Sequence, residues 1–265
     1  MAEYIFSSSQ HFSELERLQT LERAFDPATE QRLRSTGVSA NWCCLEVGAG
    51  AGSITQWLAT RVGPGGKVTA VDLDTRFIQT LTLPNVEIIS GDVRQAAFAP
   101  GTFDLIHVRY VLIHIPDVEA VLTQLFSWLK PGGWLVLEEP DFGATRSADS
   151  TTASGQSFDR VNQAVIQVFA DRGLDHEFGV KLPGLLQKFD LELVSVDSDA
   201  HLANGGSGIA KLMKMSTQQL AQTYLETGKV TELDLDRYGQ LADDPLAWAI
   251  YYATVGVVAQ KLRIS

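Results

Sequence analysis

Apolar residues follow two different spacings along the first half of the chain, and together these spacings predict alternating strands and helices. Short apolar runs, typical of buried strands, occupy residues 42–47, 67–72, 86–90, 103–108 and 134–138. Between the last two runs, apolar residues at 118, 121, 122, 125, 126 and 129 follow the spacing of one helix face. Alternating strands and helices favour a doubly wound α/β fold with a mostly parallel sheet.

Outside these runs, the sequence predicts further helices and strands and one mobile loop. Residues 10–25 have the spacing of a helix that we expect to end at Asp26 and Pro27. The later predicted elements are helices at 74–82, 158–172 and 208–227 and strands at 191–200 and 248–260. Residues 147–157 are rich in Ser, Thr and Ala, a composition that favours a mobile loop.

A glycine-rich turn gives the clearest chemical signal in the chain. Residues 46–52 read Glu-Val-Gly-Ala-Gly-Ala-Gly, where the first strand turns into a helix. Glycines there let the backbone approach a ligand and adopt positive φ. Asp72 ends the next strand, 22 residues after Gly50, close to the ~20-residue spacing at which a carboxylate holds ribose hydroxyls. The pattern therefore predicts a cofactor that contains adenosine.

The exact spacing of the glycines bears on which cofactor this is. The turn reads G-x-G-x-G, whereas a nicotinamide fingerprint requires G-x-G-x-x-G. The chain also lacks the G-x-x-x-x-G-K pattern that binds nucleoside triphosphates. A nicotinamide-dependent oxidoreductase therefore stays open as the less favoured alternative.

Five segments, in order, resemble the motifs of class I S-adenosylmethionine (SAM)-dependent methyltransferases, nearest to the small-molecule group that includes the ubiquinone/menaquinone-type enzymes. They are Leu45-Glu-Val-Gly-Ala-Gly-Ala-Gly52, Val71-Asp72-Leu-Asp74, Gly91-Asp92, Phe103-Asp104-Leu-Ile and Leu129-Lys-Pro-Gly-Gly133. The resemblance implies a Rossmann-like seven-stranded sheet with helical lid insertions, SAM as cofactor and a small-molecule substrate. It also implies one domain over 1–265, with a helical cover (1–40), a SAM-binding core (41–140) and substrate or lid insertions with the last strands (141–265).

The resemblance further implies cofactor-binding roles for nine residues: Glu46, Gly48, Gly50, Gly52, Asp72, Leu73, Asp92, Val93 and Arg109. The glycines would approach the aminoacyl part of SAM, and Glu46 would accept a hydrogen bond from its ammonium. Asp72 would hold the ribose, Asp92 would accept from the adenine amino group, and Leu73 and Val93 would flank the adenine. Arg109 would lie near the aminoacyl end or the substrate. A SAM-binding protein that does not transfer methyl groups would carry the same motifs, so this alternative also stays open.

Candidate catalytic residues are harder to find, because the sulfonium methyl group is already activated and a general base helps only some acceptors. We select His114, Asp141 and His176 as candidates. His107 lies within an apolar strand and is expected to be a core residue. Tyr4, Phe6 and Phe12 could cover the cofactor, with helix packing as the alternative. The acceptor atom stays undetermined.

Composition and net charge indicate what kinds of molecule this protein is expected to bind and where it is expected to act. Apolar residues make up 45% of the chain and charged residues 20%, which is typical of a globular protein. The net charge of −11 disfavours nucleic acid and anionic membranes as partners. Cys43 and Cys44 are adjacent and belong to no zinc-binding pattern, so we expect no metal site. Without a long apolar run or a signal-peptide layout, we expect a cytoplasmic protein; its oligomeric state stays open.

Overall fold

The computed structural model of this chain describes residues 11–263, with side chains described from residue 14 onward. Tyr4, Phe6 and the side chain of Phe12 therefore lie outside the described residues. The described chain divides into two compact units. The sheet unit comprises 25–139, 180–197 and 255–263, and the helical unit comprises 11–24, 140–179 and 198–254.

Up to residue 141, α-helices alternate with strands except between the strands Lys67–Asp72 and Phe103–Arg109, where the connections contain only short 3-10 turns. The described α-helices are α1 His11–Ser35, α2 Ser53–Val62, α3 Val118–Trp128, α4 Ala153–Asp171, α5 Phe178–Leu186, α6 Gly208–Gln219, α7 Ala221–Glu226 and α8 Glu232–Asp243. The described strands are β1 Cys43–Val47, β2 Lys67–Asp72, β3 Val86–Ser90, β4 Phe103–Arg109, β5 Leu129–Asp141, β6 Arg146–Ser147, β7 Leu191–Asp199, β8 Ala203–Asn204, β9 Trp248–Ile250 and β10 Ala253–Lys261.

Seven strands form one sheet in the order β3-β2-β1-β4-β5-β10-β7. Strand β1 pairs in parallel with both β2 and β4, and the parallel ladder continues to β3 on one side and β5 on the other. The strand order therefore reverses at β1 and β4, where open α/β sheets bind their ligands beyond the carboxyl ends of the strands. The predicted doubly wound, mostly parallel fold is confirmed.

One face of this sheet changes from apolar to charged along the strands. Cys44 lies beside Leu105 in the register of β1 and β4, and two residues further on Glu46 lies beside His107. Side chains two residues apart in a strand share a face. The apolar half of this face packs into one buried cluster with α1 and α2: Leu33, Cys44, Ile54, Leu58, Ala59, Val62, Val68, Leu105, Val136 and Val258. The half nearer the carboxyl ends therefore carries buried polar groups.

Two predicted helices have different bounds in the structure. Helix α1 does not end at Asp26 and Pro27 but continues through Pro27 to Ser35. Proline costs this helix one hydrogen bond, but the segment beyond it buries Leu33 completely in the core, and this burial outweighs local propensity. The helix expected at 74–82 is reduced to a 3-10 turn at Thr75–Phe77, where the Asp74 side chain accepts from the Arg76 N–H.

The helical unit also differs from the prediction. Helix α4 begins inside the expected loop at 147–157: the Thr152 side chain accepts from the Gly155 N–H at its first turn, and Gly155 is buried. The helix expected at 208–227 is two helices, α6 and α7, separated at Leu220. The strand expected at 248–260 is two strands, because β9 pairs with β6 and β8 in a separate antiparallel sheet. Across residues 11–263, no helix has the length and hydropathy needed to cross a membrane.

Candidate cofactor site

The glycine turn lies between β1 and α2 in the sheet unit. Gly48 has φ 78°, Gly50 φ 57° and Gly52 φ 95°, all in the left-handed region that favours glycine. A Cβ on Gly48 would also lie only 2.2 Å from Cγ2 of Val111. The turn thus brings the backbone close to the end of β4 and leads directly into the first turn of α2, whose N–H groups form a positive pole.

Asp72 is held against this turn by a hydrogen bond, and its predicted contact with the ribose stays a prediction. Its Oδ2 accepts from the Gly50 N–H at 2.8 Å, and its Oδ1 accepts from the Asp74 N–H, also at 2.8 Å. Burial raises the pKa of Asp72, and these two backbone bonds act in the opposite direction. Because a carboxylate oxygen accepts more than one hydrogen bond, both oxygens retain capacity for a pair of hydroxyl donors.

The neighbouring candidates form the next part of the same edge. Leu73 is 57% exposed although it is apolar, whereas Val93 is buried. Asp92 caps the 3-10 turn Val93–Gln95. Its carboxylate accepts hydrogen bonds from the backbone N–H and from the guanidinium of Arg94. The hydrogen bond from the Arg94 side chain lowers the pKa of Asp92. The Asp92 carboxylate thus has a structural role as a cap, and its contact with adenine stays a prediction.

Glu46 and His107 meet on the polar half of the sheet face. The Glu46 Oε1 lies 3.5 Å from Nδ1 of His107, and Nε2 of His107 lies 3.2 Å from Oε2 of Glu138. All three side chains are buried. Burial opposes protonation of the imidazole, but the carboxylates of Glu46 and Glu138 raise the pKa of His107 to about 9. His107 is therefore a charged core residue, a feature that its apolar sequence context did not indicate.

Helix α1 completes this buried cluster within the sheet unit. Glu138 accepts hydrogen bonds from Thr29 Oγ1 at 2.6 Å and from Arg32. Arg109 donates to Thr29 Oγ1 at 2.7 Å and to Asp26 at 2.9 Å. The guanidinium of Arg109 is thus directed to α1, and its predicted contact with the cofactor or the substrate is not shown by these bonds.

Glu139 shapes the loop that follows β4. Its carboxylate accepts from the backbone N–H groups of Val111, Leu112 and Ile113, at 3.2, 2.8 and 3.2 Å. Burial raises the pKa of Glu139 to about 8, although these N–H groups favour the charged form. His114 comes directly after this segment and donates its backbone N–H to Val111 O. The loop that carries His114 is therefore anchored to β5 through Glu139.

Asp141 and His176 come together in the helical unit. The N–H of Phe142 donates to His176 O at 2.9 Å, and Asp141 Oδ1 accepts from the Gly143 N–H at 2.9 Å. Burial first, and then the charge of Glu177, raise the pKa of Asp141. The Phe142 ring packs against aromatic rings of the same unit. Two of the three catalytic candidates are therefore neighbours, whereas His114 belongs to the sheet unit.

The donors and acceptors of the sheet unit fit SAM. The Glu46 Oε2 atom is buried and has no hydrogen-bond partner among the described residues, which suits an ammonium donor. The Asp72 carboxylate suits a ribose diol, and the N-terminus of α2 suits a carboxylate. The exposed side chain of Leu73 offers an apolar surface for adenine. Within residues 11–263, no group of three or more His, Cys, Asp and Glu side chains is arranged to hold a metal ion.

Comparison with known proteins assigns the family. A family model described as "Methyltransferase domain" matches residues 9–196. Methyltransferase str3 of Strobilurus tenacellus is 29% identical over 180 residues, 66% of this chain and 62% of that protein. The demethylmenaquinone methyltransferase of Staphylococcus aureus (strain JH9) is 30% identical over 112 residues, 40% of this chain and 46% of that protein. The matches thus span only part of each relative's length.

A solved structure matches nearly the whole chain. The Haemonchus contortus Phospholethanolamine N-methyltransferase 2, in complex with phosphomonomethylethanolamine and S-adenosylhomocysteine, superposes with a TM-score of 0.61 at 15% identity. The match covers 99% of this chain and 60% of that chain, and at this identity it shows the fold. The family match, the strand order and the glycine turn lead to one assignment: this chain belongs to the methyltransferase-domain family, in the class I group that uses SAM as cofactor.

Proposed function

We propose that this protein transfers the methyl group of SAM to a small-molecule acceptor. The observation that carries the proposal is the contact between Asp72 and the Gly50 N–H, which fixes a carboxylate beside a glycine turn in left-handed conformation. A carboxylate in this position is suited to accept from ribose hydroxyls beside a backbone that a ligand can approach, and this supports the proposal. The family match and its small-molecule relatives support the same conclusion.

Bound SAM supplies a sulfonium methyl group that is already activated for transfer. The residues of the sheet unit then act by holding and orienting the cofactor. Asp72 holds the ribose, Glu46 Oε2 receives the ammonium, and the N–H groups at the start of α2 receive the carboxylate. Leu73 and Val93 flank the adenine, and Asp92 accepts from its amino group. Such positioning accounts for much of the rate in a reaction whose electrophile needs no further activation.

Two of the three candidates for acting on the acceptor, Asp141 and His176, belong to the helical unit. Asp141 Oδ2 is the favoured proton acceptor, because a raised pKa brings a carboxyl group closer to the working pH of a general base. His176 is the second candidate, because its backbone carbonyl accepts a hydrogen bond from Phe142, the residue after Asp141. His114, in the loop after β4, is the third. The name of the S. aureus relative states that demethylmenaquinone is methylated by that protein, which supports a small-molecule acceptor. The net charge of −11 supports an acceptor other than nucleic acid.

The test is a titration of the full chain with S-adenosylhomocysteine, followed by calorimetry. We expect binding by the wild type and a 10- to 150-fold weaker affinity for Asp72→Ala, because hydrogen bonds to a charged group contribute about 1.5–3 kcal/mol. Asp236→Ala, which removes an exposed carboxylate on α8, is the matched control and should bind as the wild type does. Failure of the wild type to bind, or tight binding of NADH in its place, would overturn the proposal.

Transfer itself is then measured with SAM that carries a labelled methyl group. Phenolic, quinol and amine acceptors are offered separately, and label in the acceptor identifies the acceptor atom. The position of the labelled methyl group in the product, read by NMR, distinguishes a hydroxyl acceptor from an amine acceptor.

A further inference from the structure

We propose that His107 is a positioning residue for the cofactor's ammonium group: its imidazolium holds Oε1 of Glu46 and thereby leaves Oε2 of Glu46 for the ammonium. The inference rests on the proposed function, and it deepens that function by naming what prepares Glu46 for the cofactor. His107 itself would not touch the cofactor.

The strand register places the two residues side by side. Glu46 and His107 are direct partners in the parallel pairing of β1 with β4. The side chain of His107 is fully buried, and that of Glu46 is 4% exposed. Oε1 of Glu46 lies 3.5 Å from Nδ1 of His107, which is an ion-pair distance and too long for a hydrogen bond. Neither Nδ1 of His107 nor Oε2 of Glu46 has a hydrogen-bond partner among the described residues. The two oxygens of one buried carboxylate are therefore in different environments, and only one faces the imidazole.

The second ring nitrogen fixes the imidazole from the other side. Nε2 of His107 lies 3.2 Å from Oε2 of Glu138, which also accepts from Thr29 Oγ1. Glu138 is in turn bound by Arg32, and Arg32 is bound by Asp197. With a carboxylate at each nitrogen, the ring has a defined orientation, and both nitrogens act as donors only when the ring is protonated.

The buried oxygen at the glycine turn points to a ligand that donates hydrogen bonds. Oε2 of Glu46 is the carboxylate oxygen of this cluster that has no hydrogen-bond partner among the described residues. A buried polar atom without a partner is costly. The ammonium of the cofactor would supply the missing donor and a positive charge beside the carboxylate.

The first test compares two ligands on His107→Gln, which keeps polar atoms and removes the charge. S-adenosylhomocysteine carries the aminoacyl group, and 5′-methylthioadenosine has the adenosine and the sulfur without it. We expect at least a tenfold loss of affinity for S-adenosylhomocysteine and a change of less than twofold for 5′-methylthioadenosine. His201→Gln, which alters an exposed histidine, should change neither affinity. Equal losses for both ligands, or no loss for either, would overturn the inference.

A second measurement uses the wild type and does not depend on the variant's folding. Nitrogen-detected NMR at pH 7.5, with the His107 ring of the wild type assigned through its own backbone correlations, should show that this ring keeps protons on both nitrogens. A neutral His107 ring would overturn the inference. These outcomes are separate from failure of the proposed function, which would appear as a wild type that does not bind S-adenosylhomocysteine.

Discussion

Replacing Glu138 by glutamine should destabilise the sheet unit, because this carboxylate is the point where α1 and β4 meet β5. Its oxygens accept from Thr29, Arg32 and His107. Glu138→Gln would replace one acceptor oxygen by an NH₂ group that faces these donors. It would also leave the buried cations with less compensation, and both effects favour the unfolded chain.

The magnitude follows from the proton affinity of Glu138. Burial opposes ionisation, but the hydrogen bond and charge of His107, together with Arg109 and Arg32, lower the pKa of Glu138 from 4.5 to about 2. At 1.36 kcal/mol for each tenfold change in proton affinity, the native interactions of the ionised form contribute about 3 kcal/mol. This agrees with the about 3–5 kcal/mol lost when one partner of a buried ion pair is removed. We therefore expect the free energy of unfolding to fall by about 3 kcal/mol.

The pH dependence carries a second signature. Because the native pKa of Glu138 is depressed, its contribution is complete above pH 4.5 and is lost as the pH falls toward 2. The native pKa of His107 is raised from 6.5 to about 9, so its contribution is complete below pH 6.5 and is lost as the pH rises toward 9. The cluster therefore stabilises the wild type most between pH 4.5 and 6.5. The difference in free energy of unfolding between the wild type and Glu138→Gln should therefore be largest in that pH window.

The assay is urea unfolding followed by tryptophan fluorescence, since urea does not screen charges. Four of the five tryptophans lie in the sheet unit, at Trp42, Trp57, Trp128 and Trp134. Glu87→Gln is the matched control, because Glu87 pairs with Lys67 at 2.7 Å through side chains that are both about half exposed, and exposed pairs contribute about 0–1 kcal/mol. Equal losses for the two variants, or a loss for Glu138→Gln that is independent of pH, would refute the reasoning.

Three further variants test other parts of the structure. Gly256→Ala would place a Cβ 2.1 Å from Nε of Arg32, and we expect it to lower the free energy of unfolding by about 1–3 kcal/mol. In an Arg32→Ala background the same substitution should cost little, and additive losses for the two substitutions would contradict the contact. Gly50→Val should abolish S-adenosylhomocysteine binding, because φ 57° is unfavourable for valine; binding retained with normal circular dichroism would mean that the cofactor lies elsewhere. Asp141→Asn should lower kcat and flatten its pH profile without changing S-adenosylhomocysteine affinity, and an unchanged kcat would exclude Asp141 as the base.

Local sequence was sufficient to predict the core of the sheet and the glycine turn. A buried parallel strand and an amphipathic helix have spacings of their own, so β1 to β5 and α3 follow from the order of apolar residues. The turn from Gly48 to Gly52 follows from its glycines, which adopt the positive φ values that other residues avoid. Asp72 could be placed beside Gly50 because the ends of adjacent parallel strands meet at one edge.

Only the tertiary structure decided where elements end and which polar groups are charged. Pro27 predicts the end of a helix, but α1 continues because Leu33 gains full burial in a core formed by distant strands. One predicted closing strand became β9 and β10, since each found partners in a different sheet. His107 has an ordinary apolar sequence context; its charge depends on Glu46 and Glu138, which are 61 and 31 residues away along the chain. Sheet pairing brings these carboxylates to its two ring nitrogens, and the electrostatic energy of a buried group depends on such neighbours in space.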